Sequence, residues 1–204
     1  MSVDRPTRFA IAWAYGPSED VAAPGVVTAT RRRTHGQRGV PWVSDGRRVD
    51  RRLITQVYRD PQRSGRPGRP RLVRTPGVRL TQAVKRRRKG RVVGVVPRAV
   101  GGPVSSCPYV VYEERLNGVL RDRLNCLTRK THAFAKDTPT WDAAVTLALF
   151  EHNWLRPQRA LRVPLPAPED GRHYQPRSPA MAIGLTDHIW TWDEFLHYRH
   201  YQTE

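Results

Sequence analysis

The chain has 204 residues, 38% of them apolar, with 18 Pro and 15 Gly, which allows one ordinary domain with a modest core and long irregular segments. Its formal net charge is +18 and one-sided: residues 1–100 hold 24 Lys and Arg against 6 Asp and Glu, and residues 101–204 hold 12 of each. No membrane span and no secretory leader are expected, because the apolar run Phe9–Tyr15 is too short for either, and Cys107 and Cys126 suit reduced thiols rather than a disulfide framework or zinc site.

Residues 8–15 (RFAIAWAY) read as a strand closed by Gly16-Pro17. Ser18-Glu19-Asp20 resembles a capped helix start, and a helix is expected to about Arg33, interrupted at Pro24-Gly25. Val40–Ser44 suits a buried strand ending in the Asp45-Gly46 turn, and Asp50–Arg59 a helix with Leu53, Ile54 and Val57 on one side. The stretch DPQRSGRPGRPR from Asp60 reads as a flexible basic linker. Arg91–Ala99 is strand-like, with Pro97 pushing its end to an edge or bulge.

From Glu113 to about Phe134, Leu116, Leu120, Leu124 and Leu127 recur at helical spacing, and Glu114, Asn117, Arg121, Asn125 and Thr128 form the opposite polar stripe. A second helix is expected over Trp141–Leu155, opened by Thr140, with Ala144, Val145, Ala148, Leu149 and His152 on one face. Arg162–Pro179 reads as Pro-rich loop, and Thr191–Leu196 as a last short helix. Strands alternating with helices and followed by helices make an α/β chain.

The positive excess concentrates in Arg31–Arg33, Arg47–Arg52, Arg63–Arg74 and Lys85–Arg91. A field of this kind attracts polyanions, and arginine is the better bidentate ligand for phosphate. Nucleic acid is the expected partner, ahead of anionic lipid, since no amphipathic helix accompanies the charge. Arg31, Arg32, Arg33, Lys85, Arg86, Arg87, Arg88 and Lys89 are the candidate DNA contacts. The histidines, His132, His152, His188, His197 and His200 among them, show no metal spacing.

Several motifs in order carry a resemblance. Ser44-Asp45-Gly46 ends the buried strand, Glu114-Arg115-Leu116-Asn117 opens a helix, and Arg121 follows. Then come the run Leu127–Lys136, Glu151-His152-Asn153-Trp154 and Ser178-Pro179-Ala180-Met181-Ala182-Ile183-Gly184-Leu185-Thr186-Asp187-His188. Over residues 4–196 the chain resembles the catalytic domain of bacterial and archaeal insertion-sequence transposases of the DDE type. That resemblance implies an RNase H-like fold whose carboxylates hold two Mg²⁺ ions for phosphodiester cleavage and strand transfer.

Carried over, Asp45 and Glu114 are the implied catalytic metal ligands, and Asn117 and Arg121 the implied contacts to the DNA backbone. Glu113 competes with Glu114 for that role; Glu114 fits the E-R-x-N pattern and the polar stripe. Asp4-Arg5-Pro6-Thr7-Arg8 matches a turn that in the family follows the strand with the first catalytic Asp. That Asp is therefore expected to be missing, with Asp4 confined to the turn. The 68 residues between Asp45 and Glu114 hold an insertion.

The expected architecture is a partial RNase H-like fold, a mixed sheet flanked by helices. Residues 1–59 would form the first part of the core without its opening strand, and 60–90 a basic insertion. Residues 91–160 would complete the core with the Glu114 helix, and 161–204 an irregular Pro-rich and helical tail. The implied function is a DNA transposase, cytoplasmic and nucleoid-associated in a prokaryote, truncated and inactive here, binding transposon ends and target DNA with a possible homo-oligomer on DNA. The alternative is a non-catalytic DNA-binding protein or an inhibitor of a full-length transposase. A basic protein unrelated to recombination would explain the charge but not the motifs.

Overall fold

The computed structural model describes residues 1–16, 18–35, 40–63, 65, 68–100, 102–105, 110–128, 132, 137–169 and 171–198. The chain is of the expected α/β class, and it divides into two compact units. One holds Met1–Ser2 and Ile11–Glu114, the other Val3–Ala10 and Arg115–Glu204. A short ribbon of β1 (Ser2–Val3) and β2 (Ala10–Ala12) carries residues of both. The expected strand over residues 8–15 is thus only three residues of regular ladder.

In the first unit, α1 (Glu19–Arg33) runs unbroken through Pro24, against the expectation of an interruption. Proline removes one ladder bond there, and Gly25 lets the helix approach the chain leaving β2: a Cβ on Gly25 would stand 3.1 Å from the Ala14 Cβ. Thr30 donates back to the Val26 carbonyl (2.7 Å) and meets the Ser2 hydroxyl (2.6 Å), which anchors the buried face of the helix.

After α1 come β3 (Pro41–Asp45), α2 (Arg48–Val57), β4 (Arg59–Gln62), β5 (Arg71–Arg74), β6 (Arg79–Arg88) and β7 (Arg91–Ala99). A mixed three-stranded sheet has the order β3-β6-β7, with β3 parallel to β6 and β7 antiparallel to it. Parallel neighbours need a long crossover, which α2 and the β4–β5 pair supply. Val27 of α1, Ile54 and Tyr58 at α2, and Val78 and Leu80 at β6 make the core, with Trp42, Val57 and Val100 packed on it. β6 is the one strand beside β3 among the described residues, so the far edge of β3 has no ladder.

The stretch from Asp60 is not a plain linker. Its two ends pair as β4 and β5, Arg59 opposite Arg74 and Gln62 opposite Arg71, because Arg-Leu-Val-Arg can alternate about a ladder whatever the composition between. The basic run from Lys85 is likewise the end of the long strand β6.

In the second unit, α3 (Val111–Arg123) enters from the first and buries Leu116 and Leu120 as the spacing implies. It stops well short of Phe134: Leu124 is extended, a 3-10 turn covers Asn125–Leu127, and Thr128 caps the Arg121 carbonyl. The rest of the run to Lys136 lies outside the described residues except His132. The helix α4 (Thr138–Phe150) starts earlier than expected, because Asp137 rather than Thr140 caps it, accepting from the Thr140 amide at 3.0 Å. It ends in a π turn, Glu151–Leu155.

That turn gives the Glu-His-Asn-Trp motif a structural task. Asn153 is buried, and its amide copies a strand partner, accepting from Ala10 N–H (2.8 Å) and donating to the Ala10 carbonyl (3.0 Å). His152 Nε2 meets the Arg8 carbonyl at 3.0 Å. Asp4 accepts from the Thr7 amide and hydroxyl and so closes the turn leading to Arg8. The expected Pro-rich loop instead pairs as β8 (Val163–Glu169) with β9 (Arg172–Gln175).

Ser178, fully buried, caps the single-turn helix α5 (Pro179–Ala182), and Ala180 and Met181 are buried with it. The final helix α6 (Trp192–His197) has the expected place and a complete capping box between Thr191 and Glu194. Phe150, Trp154, Trp190 and Phe195 stack about this end, Phe150 and Phe195 with ring centroids 4.0 Å apart.

Candidate nucleic-acid interface

The strand β3 ends at Asp45 because Gly46 follows at a close approach, where a Cβ would stand 3.3 Å from Val84. Gln82, fully buried, donates to the Arg47 carbonyl and holds the turn after Asp45. Asp45 itself is exposed. In the parallel register it lies opposite Ala83, so it shares a sheet face with Ala83 and Lys85. On that face Lys85 Nζ meets Glu114 Oε1 at 2.8 Å.

This ion pair is half exposed on both sides and contributes little to stability. Its consequence is chemical: the Glu114 carboxylate is engaged by an ammonium group. Glu113 lies instead in the field of the Met1 α-ammonium. Among the described residues no group of three His, Cys, Asp or Glu is arranged to hold a metal ion. A Mg²⁺ ion takes hard oxygen ligands from one or two carboxylates and the substrate's phosphates, so Lys85 would have to leave Glu114 before that carboxylate could serve as one.

A carboxylate that the sequence did not single out lies beside Asp45. Asp50, in the first turn of α2, is half-buried; burial first of all raises its carboxyl above the ordinary range, the Ser44 hydroxyl offsets this in part, and the Asp45 charge adds to the rise. Arg47 is spent within the unit, paired with Glu19 and with Asp20 at 2.9 Å.

The basic candidates separate by what already holds them. Arg31 pairs with Asp60 at 2.9 Å, donates to the Val57 and Arg59 carbonyls and lies over the Tyr58 ring. Arg33 donates to the Ile11 carbonyl. Both are therefore structural cations, and of this trio Arg32 alone is exposed with no side-chain partner among the described residues. Lys85 is held by Glu114, and Arg87 reaches back to the Gly90 carbonyl at 3.3 Å. Arg86, Arg88 and Lys89 are exposed and uncommitted among the described residues. On α3, Asn117 is half-buried and Arg121 exposed, one and two helical turns beyond Glu114.

Sequence reasoning counted Arg47–Arg52 among the basic clusters but did not single out the outer face of α2 as a contact. Arg48, Arg51 and Arg52 are exposed there and, with Thr55, Gln56 and Arg59 of β4, line a shallow cleft of about 280 Å³; Arg59 donates from Nε to the Thr55 carbonyl at 3.0 Å. Their signal was available, since the spacing puts them opposite buried Ile54, but the apolar residues drew the reading of that helix. No helix of the described residues is long and apolar enough to cross a membrane.

Comparison with protein-family models, with curated proteins and with solved structures finds no match for this chain.

Proposed function

We propose that this protein is a transposase-related protein that binds duplex DNA through its first unit and does not cleave it. The observation that carries the reading is the exposed arginine face of α2, three guanidiniums joined by that of Arg59 at the start of β4, with hydroxyl and amide groups between them. Phosphate contacts of this kind set affinity and register on a duplex without reading sequence. The order of elements supports the transposase part. After β1, β2 and α1 come β3 ending in Asp45, α2, the β4–β5 pair, β6 parallel to β3, β7, and α3 with Glu114 in its first turn, a mixed α/β order in which both motif carboxylates close or open an element as the resemblance implies.

The absence of cleavage rests on the ligand chemistry. Glu114 is paired with Lys85, and the carboxylate beside Asp45 is the half-buried Asp50, held by the Ser44 hydroxyl. No metal-assisted step is therefore assigned to this chain.

Two measurements test the proposal. Duplex binding, followed by fluorescence anisotropy, should weaken about tenfold or more in Arg48→Ala/Arg51→Ala/Arg52→Ala, since each phosphate contact carries counterion release. Incubation with Mg²⁺ and supercoiled DNA should give no nicking above background. Nicking that Asp45→Ala and Glu114→Ala both abolish would overturn the non-cleaving reading and leave DNA binding intact.

A further inference from the structure

We propose that the β6–β7 ribbon is an arm that enters the major groove of duplex DNA with the face carrying Arg86, Arg88 and Arg91. The inference rests on the DNA-binding reading and adds to it which groove is read and by which side chains.

The ribbon outruns its sheet. β3 covers β6 only from Arg79 to Ala83, and from Val84 onward no third strand pairs with the two among the described residues. The tip beyond Lys85 is open to solvent, with Val92 48% and Val93 64% exposed. A two-stranded ribbon alone is marginal in water, and this one is held by a tight turn. Arg88 pairs with Arg91, and the two residues between them, Lys89 and Gly90, have φ of 48° and 78°. That is the type I′ geometry whose twist matches the strands it joins.

The charge on the arm is unopposed. Residues 85–91 are Lys or Arg at every position except Gly90, and no acid occurs between Val84 and Ala99. Lys85 and Arg87 are engaged on the face that carries Glu114 and by the turn, respectively. Arg86, Arg88 and Arg91 have no partner among the described residues.

Register puts these three together. Arg86 and Arg88 alternate onto one face of β6, and Arg91 is the direct partner of Arg88. The partner of Arg86 is Gly94, at which a Cβ would meet nothing within 4 Å. The result is a gap on the ladder opposite Arg86, with no side chain filling it. The extra residue of the bulge opposite Arg86/Arg87 falls in β7, so the alternation along β6 is not broken. Leu80 of the core lies on the same face of β6 as Arg86, so the arm presents its arginines on the side where α1 and α2 pack.

The dimensions fit a groove. Strands about 4.8 Å apart, projecting five residues at roughly 3.3 Å each, make a slender wedge about 16 Å long. The major groove of B-DNA, about 12 Å wide, admits a two-stranded ribbon, and arginine is the side chain that pairs bidentately with guanine O6 and N7. The deep and narrow major groove of A-form RNA does not admit it.

The test uses the full chain and fluorescent duplexes of one sequence: unmodified, with guanines methylated at N7, and as double-stranded RNA. Wild type should bind the methylated duplex about tenfold more weakly, the loss of one good bidentate contact. Arg86→Ala/Arg88→Ala/Arg91→Ala should bind the unmodified duplex at that weaker level and be indifferent to methylation. Gly94→Asp, which places a carboxylate in the gap without a steric clash, should lose about as much, with an unchanged circular dichroism spectrum and melting. Arg87→Ala should stay within about twofold, and duplex RNA should bind no better than the triple variant on DNA.

Equal binding of methylated and unmodified duplex by wild type, or wild-type affinity in the triple variant or Gly94→Asp, would overturn the arm. So would an equal loss in Arg87→Ala, or RNA binding with the same sensitivity. If α2 variants lose binding while arm variants keep it, the arm fails and the DNA reading stands. If wild type binds no duplex, both fall.

Discussion

Two histidines in the second unit illustrate how much of a motif's meaning is local. His152 is buried against the Arg8 carbonyl, and burial foremost, with the Arg123 charge, holds its pKa below the ordinary 6.5. Protonation therefore favours the unfolded chain, so the stability His152 contributes is full above pH 6.5 and is lost as pH falls through and below it. The melting temperature should drop between about pH 7.5 and pH 5, and His152→Gln, which keeps a donor for Arg8, should drop less. An equal drop in both would show that other groups set the acid limit. His188 has the opposite sign, because Asp187 and then Glu194 raise its pKa at an exposed site, and its contribution fades as pH rises. Neither role could be read from spacing alone. The expectation that these histidines do not bind metal together was a statement about pattern, whereas their hydrogen bonds depend on which turn each one occupies.

Among the elements, α1 offers the clearest contrast between propensity and packing. Proline in a helix interior costs up to about 3 kcal/mol, so Pro24→Ala should stabilise the first unit by roughly 1–3 kcal/mol in chemical denaturation. Gly25→Val should act the other way, by about 1–3 kcal/mol, because its side chain meets Ala14 across a gap already at contact distance. Destabilisation by Pro24→Ala would mean that the proline shapes the helix usefully. The sequence displayed the places of β3, α2, the start of α3 and the capped α6 well, since each has a clean apolar period or a cap, although β3, expected as a buried strand, has exposed ends and a half-buried middle. It concealed both hairpins, β4–β5 and β8–β9, where Pro, Gly and Arg outweigh the weak alternation in composition and only the partner strand makes the pattern visible. Of the candidate site, Asp45 and Glu114 were legible as motif residues. The pairing of Glu114 with Lys85 was not, because 28 residues of intervening chain say nothing about register. Likewise Arg31 and Arg33 looked identical to Arg32 in the text, and only the carbonyls that hold them separate structural from available charge.

On the scale of the molecule, charge is the dominant property, and it is carried by residues 1–100. If Arg48, Arg51 and Arg52 of α2 and Arg59 of β4 act with Arg86, Arg88 and Arg91 of the arm, about seven phosphate-scale contacts are made on binding. The logarithm of the affinity should then fall with the logarithm of salt concentration at a slope near about −6. A titration with a slope shallower than about −2 would mean that most of these cations remain in water. Removing the arm's three arginines should bring the slope toward about −4, which separates loss of contacts from loss of fold.

The unladdered edge of β3 gives that same charge a second task, in colloidal behaviour. An open strand edge is a template for another copy's strand, and Trp42 and Val43 beside it are only half-buried. At a net +18 two molecules repel each other before such edges can meet. Screening shortens that repulsion to about 8 Å at physiological ionic strength. Light scattering by the free protein should accordingly grow as salt is added, over the range in which DNA is released. A lysine or proline on the outer edge of β3 should suppress the growth without moving the DNA midpoint. Scattering independent of salt would show that the edge is protected by shape rather than by charge.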